Sequence, residues 1–304
     1  MMAGKAGKRS WGRRLLRAML WLALAFALLL GGIVAYNWTL VQRLFLGGLK
    51  VYETSAPALP ADLKRPAILV FSKTNGFRHE EAIPAANRAL EQMARDSGWG
   101  YYQTENGATF TPGNLARFDA VVFNNVSGDV FTPEQKAAFK AFVEGGGGYV
   151  GIHAAGDGSH TWDWFARNLI GAHFIGHPMR PQFQKATVRI EDGGHPATAG
   201  LPRQWSHTDE WYSFASSPRA RGFHILATLD ETSYSPRGLF GGDLAMGRDH
   251  PIAWWNCVGK GRVFYTAIGH TAESYGEPVN RRMLLGALTW ALDGEGDACR
   301  GEAR

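Results

Sequence analysis

The stretch GGGGYVGIHAAGDG, residues 145–158, decides how the chain is interpreted. Its glycines end the preceding segment, a short apolar run typical of a buried strand follows, and small residues then form a sharp turn. In many α/β enzymes such an elbow lifts a Ser or Cys nucleophile above the sheet. Here the elbow presents His153, followed by Ala154. The stretch therefore predicts an α/β fold with an imidazole at the end of a strand.

The flanking sequence alternates between short apolar runs and helical patterns. Strands are predicted at AILVF (67–71), WGYYQTEN (99–106), DAVVFNNV (119–126) and GYVGIHAA (148–155). Helices are predicted at IPAANRALEQMARDSG (83–98), TPEQKAAFKAFVEGG (132–146) and WDWFARNLIG (162–171), with a short helical turn at TPGNLARF (111–118). This order predicts right-handed βαβ crossovers and a mostly parallel sheet.

The second half of the chain is richer in strand patterns. QKATVRI (184–190) and FHILATL (223–229) predict strands, PIAWWNCVGKGRVFYTAIG (251–269) a β hairpin, and PVNRRMLLGALTWAL (278–292) a closing helix. The segments 193–212 and 231–250 are longer than most connections, so we expect them to form walls of a site.

Three histidines follow strands of the predicted sheet. His79 comes after the first strand, His153 after the fourth and His270 after the last. Ligands of open α/β sheets bind beyond the carboxyl ends of the strands. The topology thus predicts that these imidazoles converge at one edge of the sheet, although they are far apart in the chain.

The basic character of the chain is confined to its N-terminus. The net charge is +5, and six positive residues precede residue 18 without an acidic one, which leaves −1 for the remainder. A nucleic-acid partner is therefore not expected.

An uncharged run of 19 residues, 18–36, follows this basic segment. As a helix it would span about 28 Å, close to the thickness of the hydrocarbon core of a membrane. We interpret it as an uncleaved transmembrane anchor with the following domain outside or in the periplasm; a cleaved signal peptide is the alternative. The expected organisation is a basic cytoplasmic segment (1–17), the anchor (18–37), a Pro- and Ala-rich linker (38–65), a globular domain (66–292) and a polar tail (293–304).

Cys257 and Cys299 are the two cysteines of the chain. In an exported protein they could form a disulfide, but Cys257 lies in an apolar run and Cys299 in a polar tail, which also fits two unpaired thiols. Neither belongs to a C-x-x-C motif, which argues against a cysteine-based zinc site.

Six ordered segments resemble the ThuA-like family of trehalose-utilisation proteins. They are ILVFSKTNGFRHE, GGGYVGIHAAGDG, LIGAHFIGHP, HPATAGLP, HTDEWYSF and GKGRVFYTAIGH, spread over about residues 66 to 292. The resemblance implies a flavodoxin-like, doubly wound sheet similar to that of class I glutamine amidotransferases. It also implies a role in the metabolism of trehalose and related disaccharides, including their 3-keto forms.

Amidotransferase activity itself is not expected. Those enzymes carry a Cys in the elbow and a His with a nearby Glu after a late strand. GHTAES, with His270 and Glu273, is similar to the late element, but the elbow has no Cys. Without a thiolate there is no thioester route to ammonia.

Each candidate residue has a functional and a structural interpretation. His153 could be a general base or a metal ligand, or a buried histidine bonded to a backbone carbonyl. Arg78 with His79 could bind an oxyanion, or Arg78 could pair with Glu80 or Glu81. Asp157 could orient His153, bind a hydroxyl or cap a helix.

Two further motifs supply candidates. HFIGHP places His173 and His177 four residues apart, but its glycines and proline argue against a helix, and only His177 matches the family motif. In HTDEWY, Asp209 and Glu210 should point to opposite faces of a strand, so we expect one of them, Glu210, to enter the site. Tyr212 and Trp162 could stack on sugar rings or pack inside the domain.

The predicted catalytic residues are His153, His270 and Glu210. The predicted substrate-binding residues are Arg78, His79, Asp157, His177, Asp209, Tyr212 and Trp162. A divalent metal is compatible with this set, and its candidate ligands are His153, His177 and His270.

The sequence favours a membrane-anchored enzyme that acts on a disaccharide or keto-sugar by acid–base chemistry at His and carboxylate groups. Isomerisation, hydrolysis and elimination remain open, as do the metal and the oligomeric state. The alternatives are a tethered carbohydrate-binding module without catalysis, and a structural partner that uses the anchor and the edge of the sheet.

Overall fold

Two units, divided between Gly48 and Leu49, make up the chain in the computed structural model, which describes residues 6–160, 162–293 and 299. The first unit consists of helix α1 (Ala6–Tyr36) and helix α2 (Trp38–Phe45). Within α1, the 26-residue stretch Trp11–Tyr36 contains an 18-residue window with a mean hydropathy of 2.4 and no buried residues. Its length and composition fit a membrane anchor and fit a signal sequence equally well.

The second unit contains a nine-stranded sheet and a separate two-stranded ladder. The strands are β1 (Ala67–Phe71), β2 (Gly100–Thr104), β3 (Ala120–Asn124), β4 (Gly148–Ile152), β5 (Phe174–Gly176), β6 (Phe183–Ile190), β7 (Gln204–Glu210), β8 (Ser213–Phe214), β9 (His224–Asp230), β10 (Pro251–Val258) and β11 (Gly261–Thr266). The large sheet has the order β2-β1-β3-β4-β11-β10-β9-β6-β7, and β5 pairs with β8.

The mixed α/β architecture agrees with the prediction. Strands β2, β1, β3, β4 and β11 are mutually parallel and follow the flavodoxin-like order. The pairs β11–β10, β10–β9, β9–β6 and β6–β7 are antiparallel, so β9 and β7 again run in the direction of β11. Seven of the nine strands thus share one direction, and β10 and β6 oppose it.

Among the described residues, four helices lie in the connections between strands and a fifth follows β11. They are α3 (Ala82–Ser97), α4 (Pro112–Leu115), α5 (Pro133–Glu144), α6 (Asp163–Phe165) and α7 (Pro278–Leu292). Thr132 and Gln135 form the predicted capping box of α5. A π-helical turn, Ala166–Ile170, continues α6 and ends at Gly171, whose φ of 69° suits glycine.

Strand β7 lies inside the segment 193–212, which the sequence analysis gives as a long connection although it places Asp209 and Glu210 on a strand. Its buried positions are occupied by His207, Asp209 and Glu210. Because the inward-facing residues are polar, the alternation of apolar and polar residues that identifies a strand is absent.

The segment treated as a linker, 38–65, also differs from the expectation. It contains α2, and further along it residues 51–60 pack against the domain. Lys73 is buried and contacts the carboxylate of Glu53 and the carbonyl oxygen of Val51. Arg117 donates a hydrogen bond to the carbonyl oxygen of Pro60. These contacts tie the segment before β1 to the surface of the sheet unit.

The two cysteines form a disulfide, Cys257–Cys299, with a Cα–Cα distance of 5.4 Å. This resolves the alternative between pairing and two free thiols. Because the bond closes 42 residues of chain, it links strand β10 to a residue beyond α7.

His195 provides a test of the packing. Its ring contacts Trp290 and Trp255, with centroid distances of 4.7 and 5.5 Å, and its Nδ1 accepts a hydrogen bond from the backbone N–H of Ala197. Burial lowers the pKa of His195 from 6.5 to about 4. The folded protein therefore binds this proton less readily than the unfolded chain, so His195 costs stability as the pH falls from about 6.5 towards 4.

We expect His195→Asn to flatten this dependence. Between pH 7 and pH 5 the free energy of unfolding of the parent protein should fall by about 2 kcal/mol more than that of the variant. Urea unfolding followed by tryptophan fluorescence measures the difference, with the exposed His173→Asn as control. Identical pH slopes for all three proteins would contradict the assignment.

Candidate functional site

The elbow after β4 holds His153 in a strained and closely supported conformation. Its φ is +48°, in the left-handed region that non-glycine residues rarely adopt. The hydroxyl of Tyr265 donates to its carbonyl oxygen at 2.8 Å, and its own Nδ1 lies 2.7 Å from the carbonyl oxygen of Ala267. Strain of this kind persists where the surroundings enforce it, and it is common at functional sites. The carbonyl contact of the structural interpretation is present and fixes the tautomer, and Nε2 is the atom on which a functional role would depend.

Because a carbonyl oxygen only accepts, Nδ1 of His153 carries the proton and Nε2 faces the opposite way. Nε2 lies 3.2 Å from Nδ1 of His270 and 3.4 Å from Oε2 of Glu210. Nδ1 of His270 is in turn 2.9 Å from Oε2 of Glu210. The ring of His79 completes the group, with centroid distances of 4.4 Å to His270 and 4.9 Å to His153.

The structure thus brings together His79, His153, His270 and Glu210, which we call the imidazole–carboxylate cluster. Each offers one ligand atom, and these four atoms lie within 4.8 Å of one another. The convergence follows from the topology, since β1, β4, β11 and β7 run in the same direction and end at the same edge.

Asp209 holds the loop that carries His270. Its carboxylate accepts hydrogen bonds from the backbone N–H of Gly269 at 2.8 Å and of His270 at 3.0 Å, and from the hydroxyl of Ser274 at 2.7 Å. Gly269 has a φ of +139°, and a Cβ there would lie 2.6 Å from the hydroxyl oxygen of Tyr275. Asp209 is therefore a positioning residue. Both carboxylates of the pair are buried, but only Glu210 reaches the imidazoles.

Glu210 is hydrogen-bonded on both oxygens. Its Oε1 accepts from Gln182 and lies 3.0 Å from Nδ1 of His177. Burial would raise the pKa of this carboxyl, but the hydrogen bonds from His153 and His270 outweigh burial and lower it well below its usual range. Glu210 is thus an anion inside the protein.

The pKa values of His79 and His153 are shifted in opposite directions, although both rings are buried. Burial, reinforced by the neighbouring His153, lowers the pKa of His79 well below 6.5. Burial also acts to lower the pKa of His153, yet the hydrogen bond to Glu210 and the charges of Glu210 and Asp209 raise it overall. Perturbed groups of both kinds at one edge of a sheet are typical of functional sites.

A cleft of about 370 Å³ opens in front of the cluster, a size that suits a small molecule. His79 and His270 line both the cleft and the cluster, whereas His153 and Glu210 are fully buried behind them. The other residues that line the cleft are Phe77, Arg78, Glu80, Glu81, Phe183, Thr271 and Glu273.

Two aromatic side chains that the sequence analysis missed lie at this cleft. Phe77 is 40% exposed and Phe183 43% exposed, and their rings contact His79 and His270 at centroid distances of 4.9 Å each. The expected stacking residues lie elsewhere. Tyr212 is buried against His153, and Trp162 packs on Phe165 and lines a different pocket. The available sequence signal was the position of Phe77, two residues before His79 in GFRHE.

Three further candidates have partners that change their expected roles. Arg78 lines the cleft, but its guanidinium pairs with Glu105 and Glu80, at 2.8 and 3.0 Å, so the structural interpretation holds for it. Asp157 lies half-buried after the elbow, and its charge contributes to the raised pKa of Tyr265. His177 contacts Glu210 from the side away from the cluster, while His79 takes the place among the four close groups for which His177 was expected.

Comparison with known proteins identifies the family of the domain. The sequence model of the ThuA family, described as trehalose utilisation, matches residues 67–291. The chain belongs to the ThuA family. The matched residues lie one residue inside the expected domain limits at each end, and the family supports a carbohydrate-related role.

Two solved structures are similar to the ThuA domain. A ThuA-like protein from Bacteroides uniformis is 26% identical with a TM-score of 0.65, and the match covers 78% of this chain and 95% of that one. A ThuA-like protein from Parabacteroides merdae is 21% identical with a TM-score of 0.59, covering 76% and 91%. No curated protein matches the sequence.

Asp209 offers a direct test of how the site is held. We expect Asp209→Asn to lower the free energy of unfolding by about 3 kcal/mol, because one amide oxygen cannot accept all the buried donors that the carboxylate serves. Urea unfolding checks the value against Asp163→Asn, an exposed aspartate on α6. If both variants unfold at the same urea concentration, the carboxylate does not hold the loop.

Proposed function

We propose that this ThuA-family protein is a carbohydrate enzyme whose reaction centre is the imidazole–carboxylate cluster. The observation that carries the proposal is the convergence of three imidazoles and one ionised carboxylate at the back of an open cleft. The trehalose-utilisation description of the family supports a sugar as the substrate.

The chemistry of the centre favours reaction at an oxygen-bearing carbon of the sugar. The elbow carries an imidazole followed by Ala154, and both cysteines are joined in a disulfide, which argues against a Ser or Cys nucleophile. Imidazoles and a carboxylate suit the polarisation of a carbonyl or hydroxyl oxygen and the transfer of a proton. We therefore propose an isomerisation, hydrolysis or elimination on a disaccharide or its 3-keto form.

We assign a role to each member of the cluster from its position relative to the cleft. His79 and His270 line the cleft and are the groups that an incoming sugar oxygen meets first. His153 and Glu210 lie behind them and set the orientation and charge of the centre. His153 was predicted to be the base that acts directly on the substrate. Because it lies behind His79 and His270, we propose that it acts through them. Catalysis by such a centre is worth about 10²–10⁴-fold in rate.

We further propose that α1 tethers the domain to a membrane, with the domain outside or in the periplasm. Its 19 uncharged residues, 18–36, follow a basic segment, the arrangement of a membrane anchor that keeps its N-terminus inside.

We expect Glu210→Gln to reduce turnover by about 10²–10⁴-fold while the affinity for sugar changes little, because Glu210 lies behind the cleft. Product analysis by NMR on trehalose, related disaccharides and their 3-keto derivatives measures turnover, and calorimetry measures binding. Glu91→Gln, an exposed glutamate on α3, is the matched control. Sugar binding by the parent protein without any product would instead support a tethered binding module.

Phe77→Ala and Phe183→Ala should act on binding. Each is expected to weaken sugar affinity about 5- to 10-fold, since removing an exposed ring that packs on a ligand costs about 1 kcal/mol or slightly more. The value of kcat should change far less than KM. Phe240→Ala is the control, because Phe240 is 97% exposed and is not among the residues of the cleft. Equal KM values for all four proteins would remove the cleft from the proposal.

Cell fractionation tests the tether. The full chain should stay with membranes through an alkaline carbonate wash, and a variant lacking residues 1–36 should be released into the soluble fraction. Recovery of a shortened soluble chain from cells that express the full gene would identify α1 as a cleaved signal sequence.

A further inference from the structure

We propose that the imidazole–carboxylate cluster is a binding site for one divalent transition-metal ion of the zinc type, with His79, His153, His270 and Glu210 as its ligands. The inference deepens the proposed function, because it names the cofactor of the same centre. It stands on geometry that is independent of any sugar.

Three of the four ligand atoms, those of His153, His270 and Glu210, lie at separations close to those of a coordination shell. Four ligand atoms placed tetrahedrally around zinc at 2.0–2.2 Å lie about 3.3–3.6 Å from one another. The observed separations are 3.2 Å between the facing nitrogens of His153 and His270, and 3.4 and 2.9 Å from these nitrogens to Oε2 of Glu210. Small side-chain adjustments would therefore bring these atoms to ligand distance from a common centre.

Hydrogen bonds do not satisfy every ring nitrogen of the cluster. Since Nδ1 of His153 donates to Ala267, a neutral His153 presents a bare lone pair at Nε2, and this atom faces a second imidazole nitrogen. His79 is 5% exposed, and its Nδ1 is buried without a hydrogen-bond partner in the part of the chain that the structure describes. Three imidazoles that each offer a ring nitrogen within 4.8 Å of the others and of a carboxylate oxygen are the arrangement that a cation organises.

The negative charge of the buried Glu210 also favours a cation at this position. Among the described residues, the ion-pair partners of the buried Glu210 are His153, His177 and His270, and none of them carries a permanent charge. An unpaired carboxylate inside a protein is costly. A divalent cation at the cluster would balance the negative charge of Glu210. Imidazole ligands favour zinc and its first-row neighbours over Mg²⁺ or Ca²⁺, which prefer oxygen.

An outer layer of contacts already orients the ligands. The N–H of His153 is held by Ala267, Oε1 of Glu210 by His177 and Gln182, and the backbone of His270 by Asp209. Metal-bound histidines and carboxylates in proteins are held in this way, and loss of one outer partner costs about 10- to 100-fold in metal affinity. The competing explanation is a metal-free cluster in which one histidine is a permanent imidazolium beside Glu210.

The test uses the full chain in detergent, without a polyhistidine tag, stripped with a chelator and then titrated with Zn²⁺. We expect one equivalent of zinc to bind and X-ray absorption to show nitrogen and oxygen neighbours at about 2.0–2.1 Å. Tetrahedral Co²⁺ in place of Zn²⁺ should develop strong visible bands. Each measurement detects the bound metal directly and does not depend on enzymatic activity.

Variants show how much each side chain contributes to zinc affinity. Glu210→Gln and His79→Ala should weaken zinc binding by more than about 100-fold, and His177→Ala by about 10- to 100-fold as an outer partner. His173→Ala is the matched control, because His173 shares the HFIGHP motif with His177 and is exposed. Thermal unfolding with and without zinc shows whether each variant folds: a folded variant keeps its transition but loses the upward shift that zinc gives the parent protein.

The outcomes separate the two proposals. Absence of stoichiometric binding, or zinc binding that Glu210→Gln and His79→Ala leave unchanged, overturns the metal site. Full sugar turnover by the stripped protein also overturns it and leaves the proposed function intact. Stoichiometric zinc at these ligands without turnover of any sugar supports the metal site and overturns the proposed function.

Discussion

The buried carboxylates of Asp209 and Glu210, side by side at the end of β7, are the constraint on which the rest of the site depends. Asp209 accepts the backbone N–H groups of Gly269 and His270, and Glu210 meets the ring of His270. Two negative groups removed from water require partners. The end of β7 and the loop after β11, about 60 residues apart in the chain, are therefore held against each other.

The antiparallel part of the sheet, β10, β9, β6 and β7, brings these two carboxylates to the loop after β11. β7 lies four strands from β11 in the sheet order. Residues Thr187–Ile190 of β6 pair with β9, whereas Phe183–Ala186 pair with the end of β7. The β6–β7 ladder thus runs past the end of β9, and its overhanging end meets the loop that carries His270. The flavodoxin-like half supplies the imidazoles, and the extension supplies the carboxylate and Phe183.

The elbow at His153 occupies the position where related α/β sheets present a nucleophile. Here the same strained geometry serves a different purpose. Nδ1 is bonded to the carbonyl oxygen of Ala267, so Nε2 is directed inward at the other members of the cluster. The elbow thus directs a ring nitrogen at the cluster, and His79 and His270 are the members of the cluster that line the cleft.

The sequence by itself determined the alternation of strands and helices, because short apolar runs, capping residues and glycine stops are local signals. It also determined that His79, His153 and His270 follow parallel strands, which is sufficient to predict their convergence. Only the tertiary structure decided that His79 joins the four close groups while His177 lies on the far side of Glu210, and that Arg78 is committed to Glu105 and Glu80. The bounds of β7 were not predicted because its buried side chains are polar, although Asp209 and Glu210 were expected on a strand. Phe77 and Phe183 were missed because exposure at a cleft leaves no periodic pattern. Local conformation is encoded by neighbours in the chain, whereas the partners of a charged or aromatic side chain depend on which distant segments the fold brings to the same edge.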